Sequence, residues 1–163
     1  MDHLWSPWRL PYVTGVIEAR QTVCCVFCHA PSEPLESSLV LHRGEHAYVI
    51  LNRYPYNNGH LMVLPYRHAP SLTDLTAAEL HEVADLTQRA ESVLTAAYAP
   101  NGINVGLNLG LMAGAGLREH LHVHLVPRWT GDTNFMSVVG ETRVLSEELH
   151  ATVARLRPLW TSR

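Results

Sequence analysis

Polar and apolar side chains alternate along the stretch E-H-L-H-V-H-L-V-P-R-W, residues Glu119–Trp129. Successive side chains of a β-strand point to opposite faces of its sheet, so this alternation predicts a strand. His120, His122 and His124 would then share one face, with neighbouring imidazoles about 7 Å apart. A helix does not explain the pattern, because residues two and four apart do not share one helical face. The apolar partners would enter the core from the other face: Leu121, Val123 and Leu125.

Short apolar segments before and after this strand predict the rest of a sheet. They are separated by turn residues, and Asn57–Asn58–Gly59 is a strong turn because Asn and Gly tolerate a positive φ. The two segments that flank this turn would form an antiparallel pair. The further predicted strands are Leu39–His42, His46–Leu51, His60–Leu64 and Ile103–Leu109.

A long helix is predicted between these strands. Thr76–Ala77–Ala78–Glu79 fits a capping box, in which the Thr and Glu side chains each satisfy an amide of the first turn. Ala99–Pro100–Asn101–Gly102 would end this helix, and a last helix would begin at Ser146. Apolar positions three and four apart predict the buried stripe of the long helix: Leu80, Val83, Ala84, Thr87, Ala90, Leu94 and Ala97.

These elements together predict an α+β fold. We expect an antiparallel sheet of about five strands, with the long helix and a C-terminal helix on one face. The length of 163 residues fits a single domain. We divide residues 1–163 into an N-terminal arm with a CxxC motif (1–37), a core with the candidate catalytic residues (38–130) and a C-terminal strand and helix (131–163).

The composition excludes several classes of function. All 12 basic residues are Arg, which excludes mechanisms that need a Lys, such as Schiff-base formation or a P-loop. The net charge of −3 gives no general attraction to a nucleic acid polymer, so none is expected as a partner. Met1–Pro11 lacks the apolar region of a signal peptide, and no apolar run is long enough for a bilayer. We therefore expect a cytoplasmic protein without a membrane partner.

Three interpretations of the histidine face remain open from the residues alone. The first is an exposed polar strand face without chemistry. The second is a metal-dependent hydrolase in which His120, His122 and His124 are ligands of an open catalytic metal. The third is phosphoryl chemistry, since a neutral imidazole with a pKa of about 6.5 is a good nitrogen nucleophile at pH 7.

A second candidate site is the motif Cys25–Val26–Phe27–Cys28. Its spacing suits two thiolates on one Zn²⁺, which would need two more ligands. Reduced thiols without metal and a redox-active pair are the alternatives. All three cysteines lie within residues 24–28, so they cannot form a disulfide framework. Cys24 is the spare thiol, and the rival histidine ligands are His29, His42 and His46.

The triad His120-x-His122-x-His124, followed by two apolar residues, Pro and Arg, resembles the signature of the histidine triad (HIT) superfamily of nucleotidyl hydrolases and transferases. More specifically, the chain looks like the bacterial branch that includes diadenosine tetraphosphate phosphorylases. The segments that carry the resemblance are Asn52, Tyr54–Asn57, Gly59–Arg67, Asn104–Gly110, Ala113–Gly114, Glu119 and Trp129–Phe135.

The resemblance implies catalytic roles for three histidines. His122 would be the nucleophile that forms a nucleotidyl-imidazole with the α-phosphorus of a nucleoside polyphosphate, diadenosine tetraphosphate being the favoured substrate. A backbone carbonyl would accept from its Nδ1–H, and its ring would face an open cleft. His124 would bind the phosphate and help to move protons, and His60 would orient both. The competing non-enzymatic function is a nucleotide-binding protein with little catalysis.

The resemblance also implies contacts with the nucleotide. Asn52 matches the position that holds the ribose hydroxyls. Asn108, Gly114 and Gly116 match the α-phosphate site, and Trp129 would either stack on the base or pack after the strand.

The phosphate loop departs from the pattern of the family. Many HIT proteins place Gln-Ser or Gln-Thr after the Ala-Gly of this loop, whereas this chain has Ala115–Gly116–Leu117–Arg118. The side-chain contact with phosphate is therefore missing, or it comes from Arg118 or main-chain amides.

The resemblance finally completes the candidate zinc site. Some HIT proteins use the His of a Pro-x-x-His segment and the first His of the triad, which implies Zn²⁺ on Cys25, Cys28, His68 and His120. Four protein ligands close the coordination shell, so this zinc would be structural. No organic cofactor is expected, and a homodimer is implied because HIT proteins are commonly homodimers.

Overall fold

The structure is a computed structural model that describes residues 25–114, 117, 119–132 and 147–161. A five-stranded antiparallel sheet forms its centre. The strands are β1 (Val40–Arg43), β2 (Ala47–Leu51), β3 (Leu61–Pro65), β4 (Gly102–Leu107) and β5 (Val123–Arg128). Their spatial order is β1-β2-β3-β5-β4, which makes β4 an outer strand of this sheet. The predicted α+β fold is confirmed.

Three α-helices accompany the sheet within the described residues. They are α1 (Val26–His29), α2 (Ala77–Tyr98) and α3 (Leu149–Thr161), and short 3-10 turns cover Ala30–Ser32, Leu72–Asp74 and Leu111–Ala113. None of these helices combines the length and the apolar character needed to cross a membrane. Residues 1–24 and 133–146, which include the predicted helix start at Ser146, lie outside the described part. The division into arm, core and C-terminal segment therefore stays a prediction.

The long helix α2 begins where the sequence predicts it. The Thr76 side chain accepts from the amide of Glu79, and the Glu79 carboxylate accepts from the amide of Thr76, which confirms the capping box. The helix ends at Tyr98 and is capped by Ala99, whose φ of 42° lies in the left-handed region.

The buried stripe of α2 is rotated from the predicted one. Leu80 is 45% exposed and Ala84 is also exposed, although both belong to the predicted stripe. Strands β2 and β3 and helix α3 all pack against α2, and together they select a neighbouring face of the helix. The apolar residues buried there are Val83, Leu86, Ala90, Val93 and Leu94.

The two faces of the sheet carry separate apolar clusters. Side chains such as Val49 and Val63 belong to the larger cluster with α2 and α3, as does Leu125 of β5. The alternate side chains, such as Tyr48 and Met62, form a smaller cluster on the opposite face.

The alternation predicted for the histidine strand is confirmed within β5, where Val123 and Leu125 lie in the larger core. His124 lies opposite Met62 of the smaller cluster. The strand begins at Val123, later than predicted, so His120, Leu121 and His122 precede it.

The turn before β3 requires a glycine. Gly59 has a φ of 72°, and a Cβ at this position would lie 2.8 Å from Cε2 of Tyr98 in α2. A side chain here would be strained both in its backbone conformation and in its space. The predicted turn at Asn57–Asn58–Gly59 thus places His60 immediately before β3.

Candidate active site

The histidine triad lies on the sheet face that carries the smaller apolar cluster, with His124 in β5 and with His120 and His122 just before this strand. The Leu121 amide donates to the carbonyl oxygen of Ala69 at 2.7 Å and fixes the chain just before the strand. The ring centroids of His122 and His124 are 4.7 Å apart, and their planes cross at 85°. His124 is opposite Gly106 of β4, so the residue directly across from it has no side chain.

One backbone hydrogen bond orients His122. Its Nδ1 lies 2.8 Å from the carbonyl oxygen of His120. A carbonyl only accepts, so Nδ1 carries the proton and the lone pair of the neutral ring is on Nε2.

The ring of His122 is more buried than expected for a residue that faces an open cleft. The residue is 6% exposed, because the rings of Phe27 and His124 lie against it at centroid distances of 5.3 and 4.7 Å. Burial lowers the pKa of His122. The neutral form, which is the nucleophilic one, is therefore favoured at pH 7.

His60 is fully buried behind the triad. Its Nδ1 accepts from the main-chain N–H of Tyr56 at 3.1 Å and lies 3.4 Å from Nδ2 of Asn52. An amide N–H only donates, so Nδ1 is unprotonated and Nε2 carries the proton. Nε2 donates to Nδ1 of His124 at 3.0 Å. Neutral His124 therefore carries its own proton on Nε2.

The surroundings of His60 keep it neutral. Burial is the largest cause, and together with the neighbouring His124 and His122 it lowers the pKa of His60 to about 3. A charged imidazole here would lose its water and would present a proton to the Tyr56 amide, which cannot accept one. The direction of the hydrogen bond from His60 to His124 is thus fixed at neutral pH.

Four metal-ligating atoms lie together between the N-terminal segment and the triad. They belong to Cys25, Cys28, His68 and His120, and all lie within 4.8 Å of one another. Nδ1 of His120 is 3.4 Å from Sγ of Cys25 and 3.5 Å from Sγ of Cys28, which is 3.4 Å from Nδ1 of His68. A tetrahedral Zn²⁺ with ordinary bond lengths would separate sulfur and nitrogen ligands by about 3.6 Å. The donor set and its spacing therefore fit Zn²⁺.

The backbone also orients His120 toward this cluster. Its Nε2 donates to the carbonyl oxygen of Pro65 at 2.9 Å, so the lone pair on Nδ1 faces the two sulfur atoms. Two rival histidines have other partners in the described part of the chain. His42 stacks on Trp160, and His46 lies 3.8 Å from the carboxylate of its neighbour in sequence. Cys24 lies outside the described residues.

The three triad imidazoles do not converge on one metal position. Nδ1 of His122 faces the carbonyl oxygen of His120, and Nδ1 of His124 accepts from His60. Only His120 among the three has its Nδ1 directed at the cysteines. An open catalytic metal held by the whole triad therefore has no support in the described geometry.

The predicted nucleotide contacts lie around this centre and are described in part. Asn52 is next to His60, and its Oδ1 accepts from the amide of Tyr54 at 3.0 Å, which leaves Nδ2 on the side of the imidazole. Asn108 is half-buried just after β4. Gly114 has a φ of 86°, and none of the described residues lies within 4 Å of a Cβ built there.

The remaining predicted contacts are those of Gly116, Arg118 and Trp129. Gly116 and Arg118 lie outside the described residues, so the departure from the family pattern in the phosphate loop stays open. Trp129 is half-buried, and its ring packs edge-on against Tyr98 at a centroid distance of 6.1 Å.

A polar network that the sequence did not predict joins the end of β5 to the turn before β3. The Asp132 carboxylate accepts from the Arg128 guanidinium at 2.6 and 3.0 Å and from Nδ2 of Asn57 at 2.9 Å. Nδ2 of Asn57 also donates to the carbonyl oxygen of Pro127. Since the Asn57 carbonyl accepts from the amide of His60 at 3.2 Å, this network positions the turn that supports His60.

The HIT domain model matches residues 34–131 of the sequence. This chain belongs to the HIT family. The resemblance inferred from the triad is confirmed.

Curated HIT relatives include enzymes. A protein named AP-4-A phosphorylase from Mycobacterium tuberculosis is 42% identical over 165 residues, which cover 98% of this chain and 85% of the relative. A bis(5'-nucleosyl)-tetraphosphatase (asymmetrical) from Schizosaccharomyces pombe is 32% identical over 95 residues, or 58% of this chain and 52% of the relative.

Solved HIT structures share the fold. A Zn-bound histidine triad family protein from Mycobacterium smegmatis matches with a TM-score of 0.66 and 25% identity, over 83% of this chain and 91% of that one.

Proposed function

We propose that this HIT protein cleaves dinucleoside polyphosphates at the α-phosphorus, with diadenosine tetraphosphate as the favoured substrate. The single observation that carries the proposal is the hydrogen bond from Nδ1 of His122 to the His120 carbonyl, since it leaves the lone pair on Nε2. Family membership and 42% identity to AP-4-A phosphorylase support a HIT-type nucleotide hydrolase or phosphorylase. A protein that binds nucleotides with little catalysis is the weaker alternative.

In the first step, Nε2 of His122 attacks the α-phosphorus. A nitrogen–phosphorus bond forms as the bond from this phosphorus to the bridging oxygen breaks, and the oxygen keeps the electron pair. From diadenosine tetraphosphate the leaving group is ATP, and an adenylyl group remains on His122. The burial that lowers the pKa of His122 favours this step because it keeps the imidazole neutral.

The hydrogen-bonded pair of His60 and His124 supplies a hydrogen-bond donor to the phosphate. His60 donates to Nδ1 of His124, so His124 holds a proton on Nε2 and can donate it in a hydrogen bond to a phosphoryl oxygen. Because the chain has no Lys, imidazoles, main-chain amides and Arg side chains must balance the charge of the transition state.

We propose inorganic phosphate as the acceptor in the second step, in line with the name of the AP-4-A phosphorylase relative. Attack of phosphate on the adenylyl group gives ADP and restores neutral His122. Attack of water gives AMP instead. The overall products are then ATP and ADP with phosphate, or ATP and AMP with water.

The nucleotide contacts follow the family positions. Asn52 would bind the ribose hydroxyls, and its contact with Nδ1 of His60 would link sugar binding to the histidine pair. Asn108, Gly114 and Gly116 would surround the α-phosphate, where the space above Gly114 allows close approach. Trp129 would offer its ring to the base.

Zinc is proposed on Cys25, Cys28, His68 and His120. The fit of the donor set and the Zn-bound relative of known structure support the assignment. Bound zinc would supply no open coordination position and would instead stabilise the fold, because four protein ligands complete its shell. Reduced thiols are needed for this binding, which agrees with the proposed cytoplasmic location.

Product analysis tests the proposed function. The protein is incubated with diadenosine tetraphosphate, with and without inorganic phosphate, and the nucleotides are separated by chromatography. We expect ATP and ADP when phosphate is present. His122→Ala should reduce turnover by about 1000-fold or more, whereas the control His81→Ala, at an exposed position of α2, should keep wild-type turnover. A folded His122→Ala protein with wild-type turnover would refute the proposal.

A homodimer is also proposed. In the described sheet β4 is an outer strand, and exposed apolar side chains lie on it and just after it, with Val105 at 52% and Met112 at 96% exposure. A second copy that pairs along β4 would cover them. Sedimentation analysis should give twice the monomer mass for the wild type and a monomer for Val105→Glu. A monomeric wild type would exclude the dimer.

A further inference from the structure

In the sequence, Phe27 lies between Cys25 and Cys28 of the cysteine–histidine cluster, and its ring contacts two imidazoles of the triad. Its ring centroid is 5.3 Å from that of His122, with the planes at 52°. The ring of His120 is 5.6 Å away, in an edge-on arrangement. One side chain therefore contacts both the metal-ligating histidine and the nucleophile.

The position of Phe27 depends on the cysteines beside it. Helix α1 has four residues, which is too short to be stable without tertiary contacts. Three kinds of contact hold it in place, one of which is the packing of the Phe27 side chain against the smaller apolar cluster. Cys25 and Cys28 adjoin His120 and His68, and the Tyr48 hydroxyl donates to the Phe27 carbonyl at 2.7 Å. Loss of metal would remove the attraction that joins the cysteines to the histidines.

We propose that Phe27 is a positioning residue, through which metal bound at the cysteine pair holds the ring of His122 in its reactive orientation. The inference rests on the proposed function for the role of His122 and for zinc. The Phe27 ring packs against the imidazole in a tilted arrangement, and this packing restricts ring rotation while Nδ1 stays bonded to the His120 carbonyl.

A second route from metal to nucleophile exists and must be separated from this one. His120 faces the cluster with Nδ1, and its own carbonyl oxygen accepts from His122. Metal binding could thus act on His122 through the backbone of His120 alone. The two routes differ in whether the effect of metal requires the ring at position 27.

The chemical reactivity of His122 distinguishes the two routes. We would compare the wild type with Phe27→Leu and Phe27→Ala, and use Val26→Ala as the matched control. Val26 lies between the same cysteines but is 54% exposed. Each protein is treated with diethyl pyrocarbonate at one fixed pH, once with one equivalent of zinc and once after chelation. The rate of modification of His122 is read from its peptide by mass spectrometry.

With zinc bound, we expect Phe27→Ala to raise the modification rate of His122 by about tenfold, because the Phe27 ring covers a residue that is only 6% exposed and its loss lets the imidazole turn toward the reagent. Phe27→Leu should give a smaller increase, and Val26→Ala should match the wild type. Chelation should raise the rate in the wild type and in Val26→Ala, with little further change in Phe27→Ala.

Equal effects of chelation in the wild type and Phe27→Ala would assign the coupling to His120 and overturn the inference. Unchanged reactivity in both Phe27 variants would overturn it too. If Phe27→Ala fails to fold or to bind zinc, Phe27→Leu against Val26→Ala decides by the same criterion. The modification needs no nucleotide, so a failure of the proposed function would appear separately, as a wild type without turnover. In an active enzyme, Phe27→Leu should lower kcat more than it changes KM.

Discussion

The hydrogen-bond partner of each histidine determines which of its nitrogens carries the proton. A backbone carbonyl accepts from His122, whereas a backbone amide donates to His60, and these opposite partners produce opposite tautomers. His60 donates to Nδ1 of His124, and this bond places the proton of neutral His124 on Nε2. The site therefore presents a lone pair on one imidazole and a proton on the next, before any substrate binds.

Stability should depend on pH through His60. The pKa is about 3 in the folded protein and about 6.5 in the unfolded chain. As pH falls from about 6.5 toward about 3, only the unfolded state takes up this proton, so the free energy of unfolding falls by up to about 1.4 kcal/mol per pH unit. His60→Phe should flatten the decline measured by urea unfolding between pH 7 and pH 5. The exposed His81→Phe should keep the wild-type slope, and an equal slope in His60→Phe would contradict this assignment.

The spacing of side chains made the triad predictable, but not the partners that set its chemistry. Period-two alternation places His122 and His124 on one face from sequence alone. The bond from His60 to His124 and the ring of Phe27 on His122 arise from contacts between distant parts of the chain. No local pattern encodes such contacts, which is also why the burial of His122 was underestimated.

Helix α2 supports the segment that carries His68 through its first turn. The Glu79 carboxylate that completes the capping box also accepts from the Arg67 guanidinium at 2.7 and 2.9 Å. Arg67 directly precedes His68. The ion pair and the bond from Thr76 lower the pKa of Glu79 to about 2. The capping box is predictable from the sequence. Its Glu79 also anchors the segment that carries His68, and nothing in the sequence indicates this second role.

Removal of the cap should weaken this element by a measurable amount. Thr76→Ala loses the hydroxyl that accepts from the Glu79 amide, and we expect the free energy of unfolding to fall by about 1 kcal/mol. Thr95→Ala is the matched control, because the Thr95 hydroxyl donates to the carbonyl of Glu91 within the same helix. It should change stability by less than about 0.5 kcal/mol. Urea unfolding would measure both, and equal losses would show that the cap has no special weight.

A second carboxylate of α2 makes contacts that the sequence analysis of the elements did not predict. Glu82 of α2 accepts from the amides of Glu45 and Ala47, at 2.8 and 2.9 Å, and from that of His46 between them. It thereby fixes the turn between β1 and β2. The helix and both strands were predicted, but an acidic residue on a helix is usually solvated, and nothing in its spacing indicates this contact.

The sheet separates the molecule into a stabilising side and a chemical side. One face carries the larger core with α2 and α3, and the other carries the triad, Phe27 and the cysteine–histidine cluster. The cluster joins the segment of Cys25 and Cys28 to the segment that carries His120 and His122. Metal bound there would stabilise the folded chain, because the unfolded chain cannot hold the four ligands in place.

Chelation should therefore lower the thermal midpoint. With zinc at about 100 times its dissociation constant, we expect removal to lower the midpoint by roughly 5–10 °C. Cys28→Ser should melt at a lower temperature than the zinc-bound wild type and should not respond to chelator. Differential scanning calorimetry with and without chelator measures this, and a wild type whose midpoint ignores the chelator would exclude zinc as a structural element.

The covalent intermediate offers the decisive measurement. The protein is mixed with diadenosine tetraphosphate in the absence of phosphate and quenched in alkaline denaturant, because the nitrogen–phosphorus bond is labile to acid. Its peptides are then examined by mass spectrometry. We predict an adenylyl group on the imidazole of His122, present in His81→Ala and absent in His122→Ala. An adenylyl group on another residue, or product formation with no adenylylated peptide at any time point, would contradict His122 as the nucleophile.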